Sequence, residues 1–425
     1  MSKKTLLIIS FLLIALLVFR FYQFYHSHPS YHDGQHVSLT TTLQAEPTMG
    51  SGGQKFTIRT LTNQLISVTA DATPSYHYGQ VLTMDGELQS YTFPDGTTIL
   101  RLYHPKIVLE KQSDNVVSAW ANTIRVHTET LYNNALPEIS ANLLMGIVFG
   151  AKEQFPSNFW NDLQSVGVLH VIAASGMNVT FVSAALLYTL GLFFRRQTAL
   201  IIGSFGIIFY VFLVGFQASI LRASIMGLLA FGGSLLGRQN IAAFAVFVSG
   251  YLLLLYQPSF LFDVGFQLSF MATLGIMFLK PLLDKPLERL GKVGELGGET
   301  ITTTLAAQLG TLPILLGVFG QIGLLSVLVN ALVLWTIPIL MIFGSLAAII
   351  GLVFPFIGEL LLYPILPFLV YFQSVVSYFG QSDWVLQVNN VPHEMWIGYY
   401  CLLTGWVLWK KKKMPLGFAL QNNHN

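Results

Sequence analysis

The chain is poor in charge and in cysteine. Asp, Glu, Lys and Arg make up 10% of its 425 residues, and the formal net charge is +2. So small a net charge excludes a strongly basic body, and affinity for an anionic polymer has to come from local groups. The one cysteine, Cys401, excludes an intrachain disulfide and a CxxC metal or redox site. The histidines His26, His28, His32 and His36 could bind a transition metal, but they have no cysteine or fixed helix spacing beside them, so a solvated linker is expected and neither a metal site nor a cofactor is predicted.

Long apolar runs take the place of the missing charge. Hydrophobic residues make up 53% of the chain and the mean hydropathy is +0.61, well above the values of soluble domains. If the longest run crosses the bilayer twice, the sequence predicts a polytopic α-helical membrane protein with roughly ten transmembrane helices. The runs are Thr5 to Tyr22, Val166 to Phe194, Ala199 to Phe216, Ser219 to Gly237, Ile241 to Tyr256, Val264 to Leu283, Ile301 to Gly320, Ile322 to Phe379 and Trp396 to Trp409.

Basic residues predict the orientation. Thirteen of the 22 Lys and Arg residues fall on one side of the membrane if the N-terminus is cytoplasmic. Both termini, including a tail at 411–425, are then predicted in the cytoplasm. Residues 1–22 are predicted to be a retained anchor, because no small-residue cleavage site follows them. The thirteen are Lys3, Lys4, Arg195, Arg196, Arg238, Lys280, Lys285, Arg289, Lys292 and Lys410 to Lys413.

A different pattern occupies residues 35–112. Short runs alternate apolar and polar residues and are separated by turn-like GSGG and PDG segments. The pattern predicts an external, small all-β domain of about five strands, OB-like, with a hairpin at YGQVLTMDGEL. Most of its aromatic side chains are expected to form the core, and one or two exposed ones would stack on bases if the domain binds oligonucleotides, as OB-like folds often do. The aromatic candidates are Phe56, Tyr76, Tyr78, Tyr91, Phe93 and Tyr103.

Polar residues interrupt the apolar run that begins at Val166, in the segment GVLHVIAASGMNVTF. From Leu163 to Phe194 the run exceeds one ordinary span, so two helical pieces joined by irregular backbone are predicted. Such backbone is tolerated at membrane depth only where protein buries it or water reaches it. Two interpretations stay open: a broken helix that lines a hydrophilic path, or a small-residue packing face with Asn178 bonded across helices.

Two charged residues lie at apolar runs near the predicted external side, Arg222 and Asp263. A charge in the bilayer costs about 2.5 to 3.5 kcal/mol on insertion scales, so each should face the other, water or a substrate. A structural ion pair is one interpretation. In the other interpretation Arg222 binds a phosphate group of a ligand, because its guanidinium can bind two oxygens at once.

The motifs between Ala141 and Pro338 resemble the ComEC competence-protein family, the inner-membrane DNA channels of natural transformation. They are ANLLMGIVFGAKEQFP, GVLHVIAASGMNV, ASILRASIMG, QPSFLFDVGFQLSFMATLGI and AAQLGTLPILLGVFGQIGLLSVLVNALVLWTIP. The resemblance implies a channel domain at 137–410 that passes single-stranded DNA. It also implies three partners: a cytoplasmic helicase-like ATPase as motor, an external DNA receptor and a nuclease.

Two departures from the family pattern matter. Asn178 stands where the family often has histidine. Longer family members continue into a metallo-β-lactamase-like domain, but no H-x-H-x-D-H zinc pattern occurs in these residues, so a separate nuclease is expected.

A nucleic acid strand carries one phosphate charge per nucleotide, so its path across the membrane has to be water-filled, polar and moderately cationic. No enzymatic activity is expected, because an intramembrane serine protease would need a membrane histidine after Ser175, and no P-loop occurs. A transporter of a small solute, with a broken-helix midplane site, is the alternative. The path candidates are His170, Ser175, Gly176, Asn178, Gln217, Arg222, Asp263, Gln267, Gln308 and Asn330.

Overall fold

The computed structural model is mostly helical, with a small mixed sheet near the N-terminus. Two compact units make up the chain: unit 1 is formed by 1–154, 172–263 and 341–366, and unit 2 by 155–171, 264–340 and 367–425. The residues described are 3–27, 31–43, 48–50, 53–60, 64–74, 76, 80–92, 98–110, 116–150, 155–172, 175–237, 242–288, 298–323, 325–381, 385–387 and 393–412.

Seven strands of unit 1 form one connected sheet in the order β1-β5-β6-β4-β3-β2, and β7 also pairs with β5. The sheet is mixed because β4 and β6 run parallel, while its other strand pairs are antiparallel. An OB-like barrel remains a prediction. The strands are β1 (His36–Thr42), β2 (Thr48–Gly50), β3 (Gly53–Arg59), β4 (Leu65–Ala70), β5 (Val81–Thr92), β6 (Thr98–Tyr103) and β7 (Lys106–Glu110).

The predicted hairpin at YGQVLTMDGEL is wrong: Val81 to Thr92 is one continuous strand. Its first half pairs with β7 and its second half with β6, so the strand changes partner near Gly86. A Cβ on Gly86 would lie 3.4 Å from the Pro105 Cβ, so this glycine permits a close approach within the strand. The Asp-Gly pair therefore marks a change of pairing partner and not a turn.

Helices make up the rest of the described chain. Three short 3₁₀ segments, Pro258–Phe262, Leu334–Thr336 and Tyr363–Ile365, join them, and two three-residue strands, β8 (Gln321–Gly323) and β9 (Val385–Gln387), pair within unit 2. The helices are α1 (Lys3–Ser27), α2 (Val116–Ala135), α3 (Glu138–Phe149), α4 (Ser157–Ser165), α5 (Leu169–Ile172), α6 (Gly176–Phe193), α7 (Arg196–Val214), α8 (Ala218–Leu235), α9 (Ala242–Tyr256), α10 (Val264–Glu288), α11 (Gly298–Phe319), α12 (Ser326–Val333), α13 (Ile337–Gly351), α14 (Pro355–Leu360), α15 (Leu366–Gly380) and α16 (His393–Lys412).

Eight helical stretches in the described part of the chain are long and apolar enough to cross a membrane. They point to a membrane protein, as the composition does. The predicted span at Ile241 to Tyr256 corresponds to α9, which has 15 residues and is shorter than these. The count of roughly ten spans stays a prediction. The eight stretches are Ile8–Ser27, Gly176–Phe193, Arg196–Val214, Ala218–Leu235, Val264–Asp284, Ile301–Val318, Ser326–Gly351 and Pro355–Gly380.

Unit 1 contains a polar contact between α1 and α9. The Arg20 guanidinium donates to the carbonyl of Leu255 at 2.9 Å, and the Tyr251 hydroxyl donates to the carbonyl of Leu13 at 3.0 Å. The last carbonyls of a helix have no partner within it and carry partial negative charge, so an arginine is favourable at the end of α9. These bonds hold α1 against α9.

In unit 2, α10 and α11 approach closely through glycines. A Cβ on Gly275 would collide with the Ala306 carbonyl oxygen, and a Cβ on Gly310 would lie 2.5 Å from the Met271 carbonyl oxygen. Small residues are what allow helix backbones to meet in a membrane, where lipid is as apolar as any side chain.

Pro313 lies inside α11 and lacks the N–H that would bond the Leu309 carbonyl. The Tyr399 hydroxyl of α16 donates to that carbonyl at 2.7 Å. A side chain of one helix thus satisfies the backbone group that a proline leaves open in another, as apolar surroundings require.

Tyr399→Phe is therefore expected to lower the free energy of unfolding by about 1 to 2 kcal/mol, because it leaves the Leu309 carbonyl without its donor. Detergent-denaturation curves of the purified protein measure this loss. Tyr378→Phe is the matched control, since Tyr378 is 77% exposed. Equal losses in the two variants would contradict the assignment.

Candidate functional site

The polar segment beginning at Gly167 breaks into separate helices, as its sequence predicts. Gly167, with φ of 73°, ends α4: its N–H bonds the Gln164 carbonyl and the Val168 N–H bonds the Leu163 carbonyl. This pair of bonds is a Schellman motif, for which glycine is the usual residue. Farther on, Ser175 is extended, with φ of −116° and ψ of 162°, and α6 begins at Gly176.

Asn178 is fully buried at the start of α6, and both polar atoms of its side chain are bonded. Its Nδ2 donates to the Ile147 carbonyl at 2.9 Å, and its Oδ1 accepts from the Ser175 hydroxyl at 3.0 Å. The Tyr210 hydroxyl of α7 donates to the neighbouring Val148 carbonyl at 3.0 Å. Asn178 and Tyr210 thus satisfy two of the carbonyls that the C-terminus of α3 leaves open. This is the interhelical bonding of the second interpretation.

Arg222 lies against the first turn of α6. It is 8% exposed, and its Nη1 lies 3.3 Å from the Met226 sulfur. A Cβ on Gly176 would lie 3.0 Å from the Arg222 Nη2 and 3.2 Å from the Ala223 Cβ. Gly176 has an ordinary helical backbone, so a left-handed conformation is not the reason for a glycine here. The reason is the close approach of α6 and α8, which leaves little room for a side chain. We call Ser175, Gly176, Asn178 and Arg222 the Arg222 cluster.

Two further candidates of unit 1 lie at the ends of helical elements. Gln217 is the N-cap residue of α8 and is exposed, directly after the α7–α8 turn at Gly215. Asp263 is half-buried between the 3₁₀ segment and α10, and its N–H bonds the Phe260 carbonyl at 3.0 Å.

The remaining path candidates belong to unit 2. The Gln308 side-chain nitrogen donates to the Ser326 hydroxyl at 2.5 Å, and Asn330 lies one turn after Ser326 on α12. Asn330 is 3% exposed, and its Oδ1 has no hydrogen-bond partner among the described residues. His170 is exposed, with its Nδ1 3.1 Å from the Gly167 carbonyl, and Gln267 is half-buried on α10.

The aromatic candidates of the sheet fall into a buried pair and an exposed pair. Phe56 and Tyr76 belong to its buried core, where no base can reach them, whereas Tyr91 is 42% and Tyr103 is 55% exposed. The Arg101 guanidinium lies over the Tyr91 ring, 3.5 Å from its centre. Arg101 pairs with Gln89 across the strands, so side-chain alternation puts Tyr91, Arg101 and Tyr103 on one face of the sheet. Tyr78 and Phe93 lie outside the described residues.

No group of three His, Cys, Asp or Glu side chains within the described ranges is placed to hold a metal ion. The polar groups of the Arg222 cluster are an amide, a hydroxyl and a guanidinium. Their chemistry suits hydrogen bonding and anion binding.

Comparison with known proteins finds one matching family and two similar proteins. The profile of the Competence family, described as "Competence protein", matches residues 147–413, more than half of the chain. ComE operon protein 3 of Bacillus subtilis (strain 168) is 33% identical over 211 residues, 49% of this chain and 26% of that protein. An uncharacterized protein of Aquifex aeolicus (strain VF5) is 28% identical over 280 residues, 64% of this chain and 63% of that protein. The chain spans less than two thirds of either relative, and no solved structure matches it.

Proposed function

Because this chain belongs to the Competence protein family, we propose that it conducts single-stranded DNA across the cytoplasmic membrane during natural transformation. The observation that carries the proposal is the buried guanidinium of Arg222, a residue of α8, which lies beside the first turn of α6. Arg222 and all the other path candidates lie within the residues that match the family. The role is one of transport, without catalysis by this chain.

A phosphate at the Arg222 cluster would meet two sources of positive potential. The guanidinium stays charged and can bind two phosphate oxygens at once. The N-terminus of α6, which begins at Gly176, carries partial positive charge from its open N–H groups. The two effects point to anion binding at this place in the fold.

The surrounding sequence favours the same sign of ligand. Between Asp162 and Asp263 the chain contains four arginines and no Asp or Glu. The arginines are Arg195, Arg196, Arg222 and Arg238. Helices α6 to α9 therefore carry only positive formal charge, which attracts a polyanion and repels cations.

Within this proposal, Asn178 positions the path and does not line it. Its buried bond to the Ile147 carbonyl fixes the start of α6 beside α3, so that Gly176 stays against Arg222. Gln217 and Asp263 in unit 1, and His170, Gln267, Gln308 and Asn330 in unit 2, remain proposed polar lining of their own units.

The exposed face of the sheet is the proposed first contact with the strand. Tyr91 and Tyr103 offer rings for base stacking, and Arg101 between them offers charge for the backbone.

Tyr91→Ala with Tyr103→Ala is expected to raise the Kd of the purified full chain for a single-stranded oligonucleotide by at least about thirty-fold, since each of the two stacked bases contributes about 1 to 3 kcal/mol. Fluorescence anisotropy measures this change. Val108→Ala, an exposed position on β7, should leave the Kd unchanged. The contact is excluded if the tyrosine variant binds as tightly as the control.

The proposed orientation has both termini in the cytoplasm and the sheet outside, with the ATPase motor on the inner side and the DNA receptor on the outer side. A nuclease that degrades one strand is the third proposed partner. The orientation rests on the basic residues at the ends of apolar runs.

In a Cys401→Ser background, a cysteine at Ser90 is expected to react with a membrane-impermeant maleimide added to intact cells. Cysteines at Arg238, Lys285 and Lys411 should react only after the cells are opened, because those positions face the cytoplasm. Labelling at Ser90 only after lysis would reverse the orientation.

Transport itself can be tested with the purified chain in liposomes under an imposed, inside-positive membrane potential. Entry of a labelled single-stranded oligonucleotide, reduced in Arg222→Met, is the expected result. Entry of small anions such as phosphate or acetate, with none of the oligonucleotide, would contradict the proposal and support the solute transporter.

A further inference from the structure

A cavity in unit 1 opens between α6, α7 and α8, on the side where α6 ends and α7 begins. Its volume is about 440 Å³, within the range of small-molecule sites. Leu187, Leu200 and Phe231 form apolar walls, and Arg196 lies at its rim. The Arg222 cluster is not part of it.

The position of the cavity along α6 and α7 indicates which parts of the lipid molecules lie beside it. Apolar α6 ends at Phe193 and apolar α7 begins at Arg196, so the turn between them lies at a membrane interface. Phe193 is 77% exposed and Phe194 is 46% exposed beside the cavity, as expected of side chains in contact with lipid. The apolar part of the cavity is thus level with acyl chains, and Arg196 is level with headgroups.

The charge of the cavity favours lipids with anionic headgroups. None of the residues lining this cavity, all within the described part of unit 1, is acidic, and Arg196 is the one basic residue among them. Basic pockets between transmembrane helices bind anionic headgroups, and each Lys or Arg near the surface contributes about 1 kcal/mol, a factor of about five in affinity.

We propose that this cavity is a binding site for one anionic phospholipid of the membrane, with an acyl chain between α6, α7 and α8 and the phosphate on Arg196. The site is independent of the DNA path: it lies on the lipid-facing end of the bundle and uses a different arginine. Occupation fixes the contact of α6 with α7 at the end opposite Gly176.

Native mass spectrometry of the detergent-purified chain tests the proposal, with phosphatidylglycerol and phosphatidylcholine of identical acyl chains as probes. The wild-type chain is expected to retain phosphatidylglycerol about five-fold more strongly than phosphatidylcholine. Arg196→Gln should abolish this preference, whereas Arg195→Gln should keep it, since Arg195 does not line the cavity. Equal effects of the two substitutions, or no preference in the wild-type chain, would overturn the proposal.

A second pair of variants tests the apolar part. Gly191 lines the cavity, and a Cβ there meets no atom within 4 Å, so Gly191→Phe is expected to fill the cavity and abolish retention of both lipids. Gly232 in α8 has equally open space outside the lining, so Gly232→Phe should retain both. Normal lipid retention in Gly191→Phe would contradict the site, and circular dichroism with size exclusion identifies a variant that fails to fold.

Discussion

Cytoplasmic arrival of labelled DNA is expected to fall about ten- to a hundred-fold in Arg222→Met, while surface-bound DNA and the amount of protein in the membrane stay unchanged. Methionine keeps much of the length of the buried side chain but removes the charge that a phosphate would bind. A hydrogen bond to a charged group contributes about 1.5 to 3 kcal/mol, which corresponds to this range of rates. Uptake of labelled DNA into the nuclease-protected pool measures the effect.

Variants of the same site separate a phosphate contact from a structural charge. Arg222→Lys should keep part of the uptake, since a point charge still attracts phosphate without binding two oxygens. Arg222→Met combined with Asp263→Leu should stay defective, although it removes both charges. Full recovery in the double variant would identify Arg222 as the structural partner of Asp263. Arg195→Met, at an exposed position outside the Arg222 cluster, is the matched control and should lose much less uptake than Arg222→Met.

Gly176→Leu is expected to abolish DNA uptake. A Cβ at this position already lies 3.0 Å from the Arg222 Nη2 and 3.2 Å from the Ala223 Cβ, so a larger side chain has to displace the guanidinium or separate α6 from α8. Either movement dismantles the Arg222 cluster. Nuclease-protected uptake, compared at matched membrane abundance, measures the loss.

Gly232→Leu provides the matched control, because it is a helix glycine of the same unit whose Cβ would meet no atom within 4 Å. It should insert and take up DNA normally. If Gly176→Leu takes up as much DNA as Gly232→Leu, the close approach of α6 and α8 has no part in transport.

Local sequence chemistry explains the breaks in the helices. Prolines have no N–H and fit the first turn of a helix, and Pro338, Pro355 and Pro367 each lie in the first turn of a helix, α13, α14 and α15. The interruption before α6 was predictable for a similar reason, since a serine and a glycine there interrupt a run that is too long for one span. These features depend on a few neighbouring residues.

Features that depend on tertiary partners were not predictable. The Asp-Gly pair in MDGEL has the composition of a hairpin turn, but in the structure β1 pairs with both of its residues and the strand continues. Nothing in the sequence distinguishes Tyr210 and Ser326 from other residues of apolar runs. Their roles come from the Val148 carbonyl and from Gln308, which the fold brings to them.

The two interpretations of Asn178 show the same limit. An amide in an apolar run is equally suited to a water-lined path and to an interhelical bond. The interhelical bond forms because the α3 C-terminus lies beside Asn178, where the open Ile147 carbonyl accepts from the amide. Burial likewise decided among the aromatics, placing Phe56 in the core and leaving Tyr103 exposed.

The central claim is that this chain carries DNA through the membrane. Its most direct test is deletion of the gene in the source organism, with surface-bound and nuclease-protected cytoplasmic DNA measured separately on the same cells. The account predicts that surface binding is retained, that cytoplasmic arrival is lost, and that the wild-type chain supplied in trans restores it while Arg222→Met does not. Cytoplasmic arrival that continues without the gene would contradict the account.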